Sequence, residues 1–258
     1  ACPDLRALGS ETAVVVEMGA GNGEKLDLVL AAVATPTKSL GVVLVDVSPA
    51  ALSAARRRAE LRPGVSVACV EATYLEGLVR ALADRPRAGA ALVLFLGSNL
   101  GNMDPAEASD FLRGVRAALR PGDRFLLGAD LVKPVEELLL AYDDPLGITA
   151  AFDKNVLQRM NRELGADFDL AGWDHRVLWN AGESRVEMHL VSRAEQLVTI
   201  PGAGVRARFF AGETLFTEAS YKYVPDLLVA AVGAAGFSLA RSWGDAAARY
   251  ALLLFEAA

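Results

Sequence analysis

Cysteine and histidine are both scarce, with two of each in 258 residues. Cys2 and Cys69 form neither a CxxC pair nor a zinc-ligand spacing, so no disulfide framework and no metal site is legible. Also missing is any charge-free apolar run near the roughly 20 residues that a membrane helix needs. No basic-then-apolar leader opens the chain, and the expectation is a soluble, cytoplasmic protein with no membrane partner. Cationic charge is short as well: 26 Lys and Arg stand against 32 Asp and Glu, for a net charge of -6. Affinity for nucleic acid comes mainly from neutralising phosphates, so nucleic acid is not an expected partner. The one basic run, Arg56-Arg57-Arg58, falls in a helical pattern and reads as a solvated face.

Apolar residues are plentiful, at 53% of the chain, enough to fill one large α/β domain or a core carrying an insertion. The first half alternates strand-like and helical runs, which predicts a parallel sheet covered on both faces. Ala13 to Met18, Leu40 to Val45, Val65 to Val70, Ala90 to Leu96 and Arg124 to Leu131 are the five expected strands. Between them, Leu26, Val29, Leu30 and Val33 form one helical stripe, and Phe111, Leu112, Val115 and Leu119 another. Ser48-Pro49 reads as an N-cap with a first-turn proline, and Asp104-Pro105-Ala106-Glu107 as a capping box.

After residue 132 the alternation stops. Residues 133–221 hold a helical stretch, Ile148 to Leu164, followed by strand-like Glu183 to Ser192 and Gln196 to Ile200. We therefore expect a core at 1–132, a substrate-shaping insertion at 133–221, and a return to the core at 222–258 through a helix (Pro225 to Ala235) and two closing strands.

The chemistry gathers at strand ends. Glu17-Met18-Gly19-Ala20-Gly21-Asn22-Gly23 joins the first strand to the first helix, and glycines there let the backbone approach a ligand. Nicotinamide enzymes use a similar turn. The leading carboxylate favours S-adenosylmethionine (SAM), because it suits a cationic methionine amine and would repel a pyrophosphate. Asp46 ends the second strand, where a carboxylate takes ribose hydroxyls. Thr73-Tyr74 follows the third strand and is a candidate for the adenine, with a core tyrosine as the plain alternative.

Several co-linear blocks point further. Phe95-Leu96-Gly97-Ser98-Asn99-Leu100-Gly101-Asn102, Ala141-Tyr142-Asp143-Asp144, Ile148-Thr149-Ala150-Ala151-Phe152, Asn161-Arg162-Glu163-Leu164, Ser184-Arg185-Val186-Glu187-Met188-His189-Leu190, and Gly212-Glu213-Thr214 with Thr217-Glu218-Ala219-Ser220-Tyr221-Lys222-Tyr223 resemble the ergothioneine-pathway histidine Nα-methyltransferases. The resemblance implies a class I SAM-methyltransferase, Rossmann-like α/β fold with a substrate-binding insertion, and trimethylation of histidine to the betaine hercynine. It implies Gly19 and Lys25 on the cofactor loop and Asp46 on the ribose, joining Glu17, Gly21, Thr73 and Tyr74 as read from the residues; Thr73-Tyr74 departs from the family, where many relatives have Asp-Phe. Tyr142 and Asn102 are the expected catalytic and amino-acid-holding residues, and Met188, Glu218 and Ser220 the expected imidazole pocket.

Three alternatives stay open from the residues alone. One is the same chemistry on another aromatic amino acid or a tryptophan-derived alkaloid. The second is a SAM-binding module without catalysis in a longer polypeptide. The third, a nucleic-acid amine methyltransferase, would want an Asn/Asp-Pro-Pro-aromatic turn where Gly97-Ser98-Asn99 stands. Relatives carry a helical segment with tyrosines before the first strand, which leaves room for a preceding segment or fused domain.

Overall fold

Strands with apolar residues on both faces hide them only between two layers of helix. The computed structural model has that layering, and it describes residues 3–35, 38–86 and 88–258. Two compact units divide the chain: Ala1–Leu131 with Tyr223–Ala258, and Val132–Lys222.

In the first unit, numbering along the chain, the elements are α1 (Pro3–Leu8), β1 (Thr12–Met18), α2 (Glu24–Val33), β2 (Leu40–Asp46), α3 (Pro49–Ala59), β3 (Val65–Glu71), α4 (Tyr74–Ala83), β4 (Ala90–Phe95), α5 (Pro105–Ala118), β5 (Arg124–Asp130), α8 (Pro225–Ala234), β11 (Phe237–Gly244) and β12 (Tyr250–Ala257). Its seven strands lie in the order β11-β12-β5-β4-β1-β2-β3. Strands β1 to β5 run parallel; β12 is antiparallel to β5 and to β11. Because β1 sits between β2 and β4, the chain order reverses beside it, and ligands of open α/β sheets bind at the strand C-termini of such a switch point.

Alternate residues of each strand feed the two layers. Val14, Val16, Val93 and Phe95 pack with Leu78 of α4, Phe111 and Val115 of α5, and Leu228 of α8. Val15, Leu44, Leu92 and Leu94 pack with Leu26 and Leu30 of α2 and Leu52 of α3. The helix starts follow their sequence signals: Ser48 Oγ accepts from Ala51 N, and Asp104 and Glu107 close a reciprocal capping box. Helices α1 and α4 were not read from the sequence, although Leu75, Leu78 and Leu82 of α4 recur at helical spacing.

In the second unit, β6 (Trp173–Asn180), β7 (Arg185–Ser192) and β10 (Thr214–Tyr221) form an antiparallel sheet in the order β10-β7-β6. The strands β8 (Gln196–Ile200) and β9 (Val205–Phe209) form a separate hairpin. Helices α6 (Val135–Tyr142) and α7 (Ile148–Leu164) complete the unit, whose core is Leu157, Phe168, Trp173, Leu190, Val198, Ile200 and Phe209. Strand β7 begins two residues later than Glu183, the expected start. Glu183 N is bonded to Asn180 Oδ1 and Ser184 has a φ of 53°, so both residues belong to the turn.

Candidate functional site

A carboxylate in the middle of a sheet ordinarily needs a partner. Glu17, next to last in β1, is 3% exposed, and its Oε2 has no partner among the described residues. Burial raises its pKa to about 8, against the pull of the Lys25 charge and with a smaller push from Asp46.

Beyond Met18 the backbone turns through Gly19, Gly21 and Gly23, with φ of 78°, 50° and 74°. Asp46, at the end of β2, holds this turn: its Oδ2 accepts from Gly21 N at 3.2 Å and its Oδ1 from Ser48 N at 2.9 Å. A Cβ on Gly19 would meet Asn99 Nδ2 at 3.0 Å and Tyr74 Cε1 at 3.3 Å, so those side chains wall the turn. Around Gly21 the space is open. Tyr74 opens α4 with its ring edge-on to Phe95 at 5.0 Å, and burial followed by the Asp46 charge raises its pKa. Thr73, exposed at the N-cap of α4, makes no side-chain capping bond.

The loop after β4 forms the facing wall. Gly97 N donates to Tyr250 Oη at 3.1 Å, and Asp130 N donates to Ser98 Oγ at 2.8 Å. Lys25 Nζ lies across Gly97, where a Cβ would come within 2.5 Å of it. Asn99 begins the 3-10 turn that ends at the exposed Asn102. The structure thus gathers Glu17, Gly19, Gly21, Lys25, Asp46 and Tyr74 at one strand edge. Sequence reasoning did not assign Asn99, Ser98 or Tyr250 to this wall. For Asn99 a signal existed in the Gly-Ser-Asn block; for Tyr250, 153 residues from Gly97, none did.

Within the second unit another cluster forms on one face of the small sheet. Glu218 pairs with Met188 and Ser220 with Val186, and a bulge at Thr217 turns Glu218 to the side of Met188. Tyr142, the last residue of α6, donates from its hydroxyl to Ser220 Oγ at 2.9 Å. Lys222 Nζ donates to both oxygens, at 2.7 and 2.8 Å. Glu218 is half-buried, and burial, then the Asp153 charge, raises its pKa. His189, on the opposite face from Met188, bonds to Glu187 at 3.1 Å and takes no part.

A buried carboxylate above a glycine turn, with a second carboxylate one strand over, is what a nucleoside bearing a cationic amine requires. A family model described as a histidine-specific, SAM-dependent methyltransferase matches residues 4–257. The chain belongs to that family. Over 251 residues it is 39% identical to the histidine N-alpha-methyltransferase of Mycolicibacterium smegmatis, covering 97% of this chain and 76% of that one. It is 28% identical over 215 residues to ergothioneine biosynthesis protein 1 of Schizosaccharomyces pombe, covering 81% of this chain and 27% of that one. A SAM-dependent methyltransferase from Methanosarcina mazei shares the fold at a TM-score of 0.50 and 14% identity, over 99% of this chain and 97% of the other.

The family's cofactor fits the residues present. The buried Oε2 of Glu17, without a partner among the described residues, fits a cationic amine once the carboxyl ionises, and a side chain at Gly19 would press on Asn99 and Tyr74. No helix among the described residues is long and apolar enough to cross a membrane.

Proposed function

We propose that this chain, working in the cytoplasm, methylates the α-amine of L-histidine three times, giving the betaine hercynine on the way to ergothioneine. SAM supplies a sulfonium methyl group. In each transfer an N–C bond forms, an S–C bond breaks with its electron pair left on sulfur, and a proton leaves nitrogen before the next. Each amine must lose its proton before it is methylated, because only the base form carries the attacking lone pair. The residues then have to hold that amine in line and keep water out.

In the core unit, Glu17 takes the methionine ammonium, Asp46 the ribose hydroxyls, and Tyr74 with Thr73 borders the adenine, while Gly19, Gly21 and Lys25 shape the turn. Asn102 is assigned to the amino acid's carboxylate and Tyr142 to orienting its amine. Glu218 accepts from the imidazole N–H, with Met188 and Ser220 beside it. The observation that carries this reading is the half-buried Glu218 in register with Met188 and next but one to Ser220, itself bonded to Tyr142. Such a niche offers the Glu218 carboxylate as acceptor for an N–H beside the thioether of Met188, which suits imidazole.

The test is direct. Purified protein with SAM and histidine should yield mono-, di- and trimethylated histidine by mass spectrometry. Absence of all three rejects the proposal.

A further inference from the structure

Tyr142 stands at a helix end, where backbone carbonyls lack partners within the helix. Its own carbonyl is met by a buried side chain: His175 Nε2 lies 2.9 Å from Tyr142 O. The other ring nitrogen, Nδ1, lies 2.8 Å from Asp153 Oδ2, and both side chains are only 3% exposed. A carbonyl can only accept, so the Nε2 proton points at Tyr142. The proton between Nδ1 and Asp153 fixes the ring in that orientation. His175 lies on β6 and Asp153 on α7, so the contact ties α6 to two other elements of its unit. The far end of the same residue is held too, since the phenol oxygen accepts from Lys222 Nζ at 2.7 Å and the ammonium lies 4.8 Å from the ring centroid.

We infer that His175 and Asp153 are positioning residues for methyl transfer, acting through Tyr142. The pair anchors the backbone of the residue whose phenol orients the amine, while Lys222 and Ser220 anchor the phenol itself. With both ends fixed, the hydroxyl is held to the tolerance that an in-line displacement requires. An error of about 1 Å at such a site can lower the rate about a hundredfold. This inference rests on the proposed reading of Tyr142 as an amine-orienting group.

A double-mutant cycle tests it, because coupling appears only where one residue acts through the other. His175→Phe keeps an aromatic ring at the position, somewhat larger than imidazole, and removes both bonds. In the wild-type background it should lower kcat/KM for histidine about 10- to 100-fold. In a Tyr142→Phe background it should lower it less than about threefold, with S-adenosylhomocysteine affinity unchanged throughout. Equal losses in the two backgrounds overturn the inference. Should His175→Phe fail to fold, Asp153→Ala and Asp153→Asn replace it. Both remove the charge near Glu218, but the side-chain amide of Asn can still hydrogen-bond Nδ1, donating from its NH2 to a bare nitrogen or accepting through its oxygen from a protonated one. Asp153→Asn should recover most of the activity that Asp153→Ala loses; equal losses again reject the role. If the wild-type protein leaves histidine unmethylated, it is the parent reading that fails.

Discussion

In the proposed reading, Glu218 is the side chain that separates histidine from other aromatic substrates. Glu218 is half-buried, and its pKa is raised by desolvation and then by the Asp153 charge. It gains most from a ligand that donates a hydrogen bond. A charge-assisted bond of that kind contributes about 1.5–3 kcal/mol, equivalent to roughly 10- to 150-fold in affinity. Glu218→Ala should therefore weaken histidine binding by about that factor while tryptophan changes less than about threefold. Calorimetry of both amino acids, with S-adenosylhomocysteine present, reads the difference. Equal weakening would sink the imidazole assignment. That Glu218 and Met188 lie together was legible only through the family resemblance and not from strand alternation, which the bulge at Thr217 breaks from Phe216 onward. Asp153 and His175 were hidden, since they are 22 residues apart and are joined only by the packing of a helix on a sheet.

At the level of elements, α4 is placed by the absence of a side chain. A Cβ on Gly77 would come 2.1 Å from Val45 Cγ1, and valine is stiff at χ1. Gly77→Ala should thus destabilise the protein by about 1–3 kcal/mol through overpacking, although alanine is the better helix former. Denaturant unfolding checks this, and a gain in stability would show that α4 can slide away from β2. Helix α4 was not read although Leu75, Leu78 and Leu82 recur at helical spacing, whereas α2, α3 and α5 were legible from their stripes and caps. Strands β1, β2 and β4 were legible for a related reason, as continuous apolar runs flanked by turn residues. In the second unit, β6 alternates Asp174 and Arg176 with partly buried residues, so hydrophobicity alone does not mark it out. The cofactor turn was the easiest feature to read because its chemistry is local. Its outer wall, with Tyr250 reaching Gly97 from the last strand, is not local and could not be read.

For the molecule as a whole, the proposed role of Glu17 links stability, pH and cofactor. Its pKa in the unliganded fold is about 8, against an ordinary 4.5, so the neutral acid is the form the fold tolerates. The sign follows from linkage: this contribution is complete below about pH 4.5 and is lost as pH rises through about 8. An ammonium beside Glu17 needs the carboxylate instead, so binding S-adenosylhomocysteine between about pH 6 and 7.5 should release a proton. Affinity should then rise with pH over that range, by up to about tenfold per unit. At 100 times its Kd the ligand stabilises by about 2.7 kcal/mol, which is about 5–10 °C in Tm for a chain of this length. Glu17→Gln should abolish the proton release, flatten the pH dependence of the unliganded Tm, and weaken binding roughly 10- to 100-fold. Calorimetry in buffers of different ionisation enthalpy, paired with thermal unfolding, measures all three. An unchanged affinity in the glutamine variant would mean that the ammonium is held elsewhere. The burial of Glu17 would then be a cost without a ligand to offset it, and the cofactor assignment would have to rest on Asp46 alone.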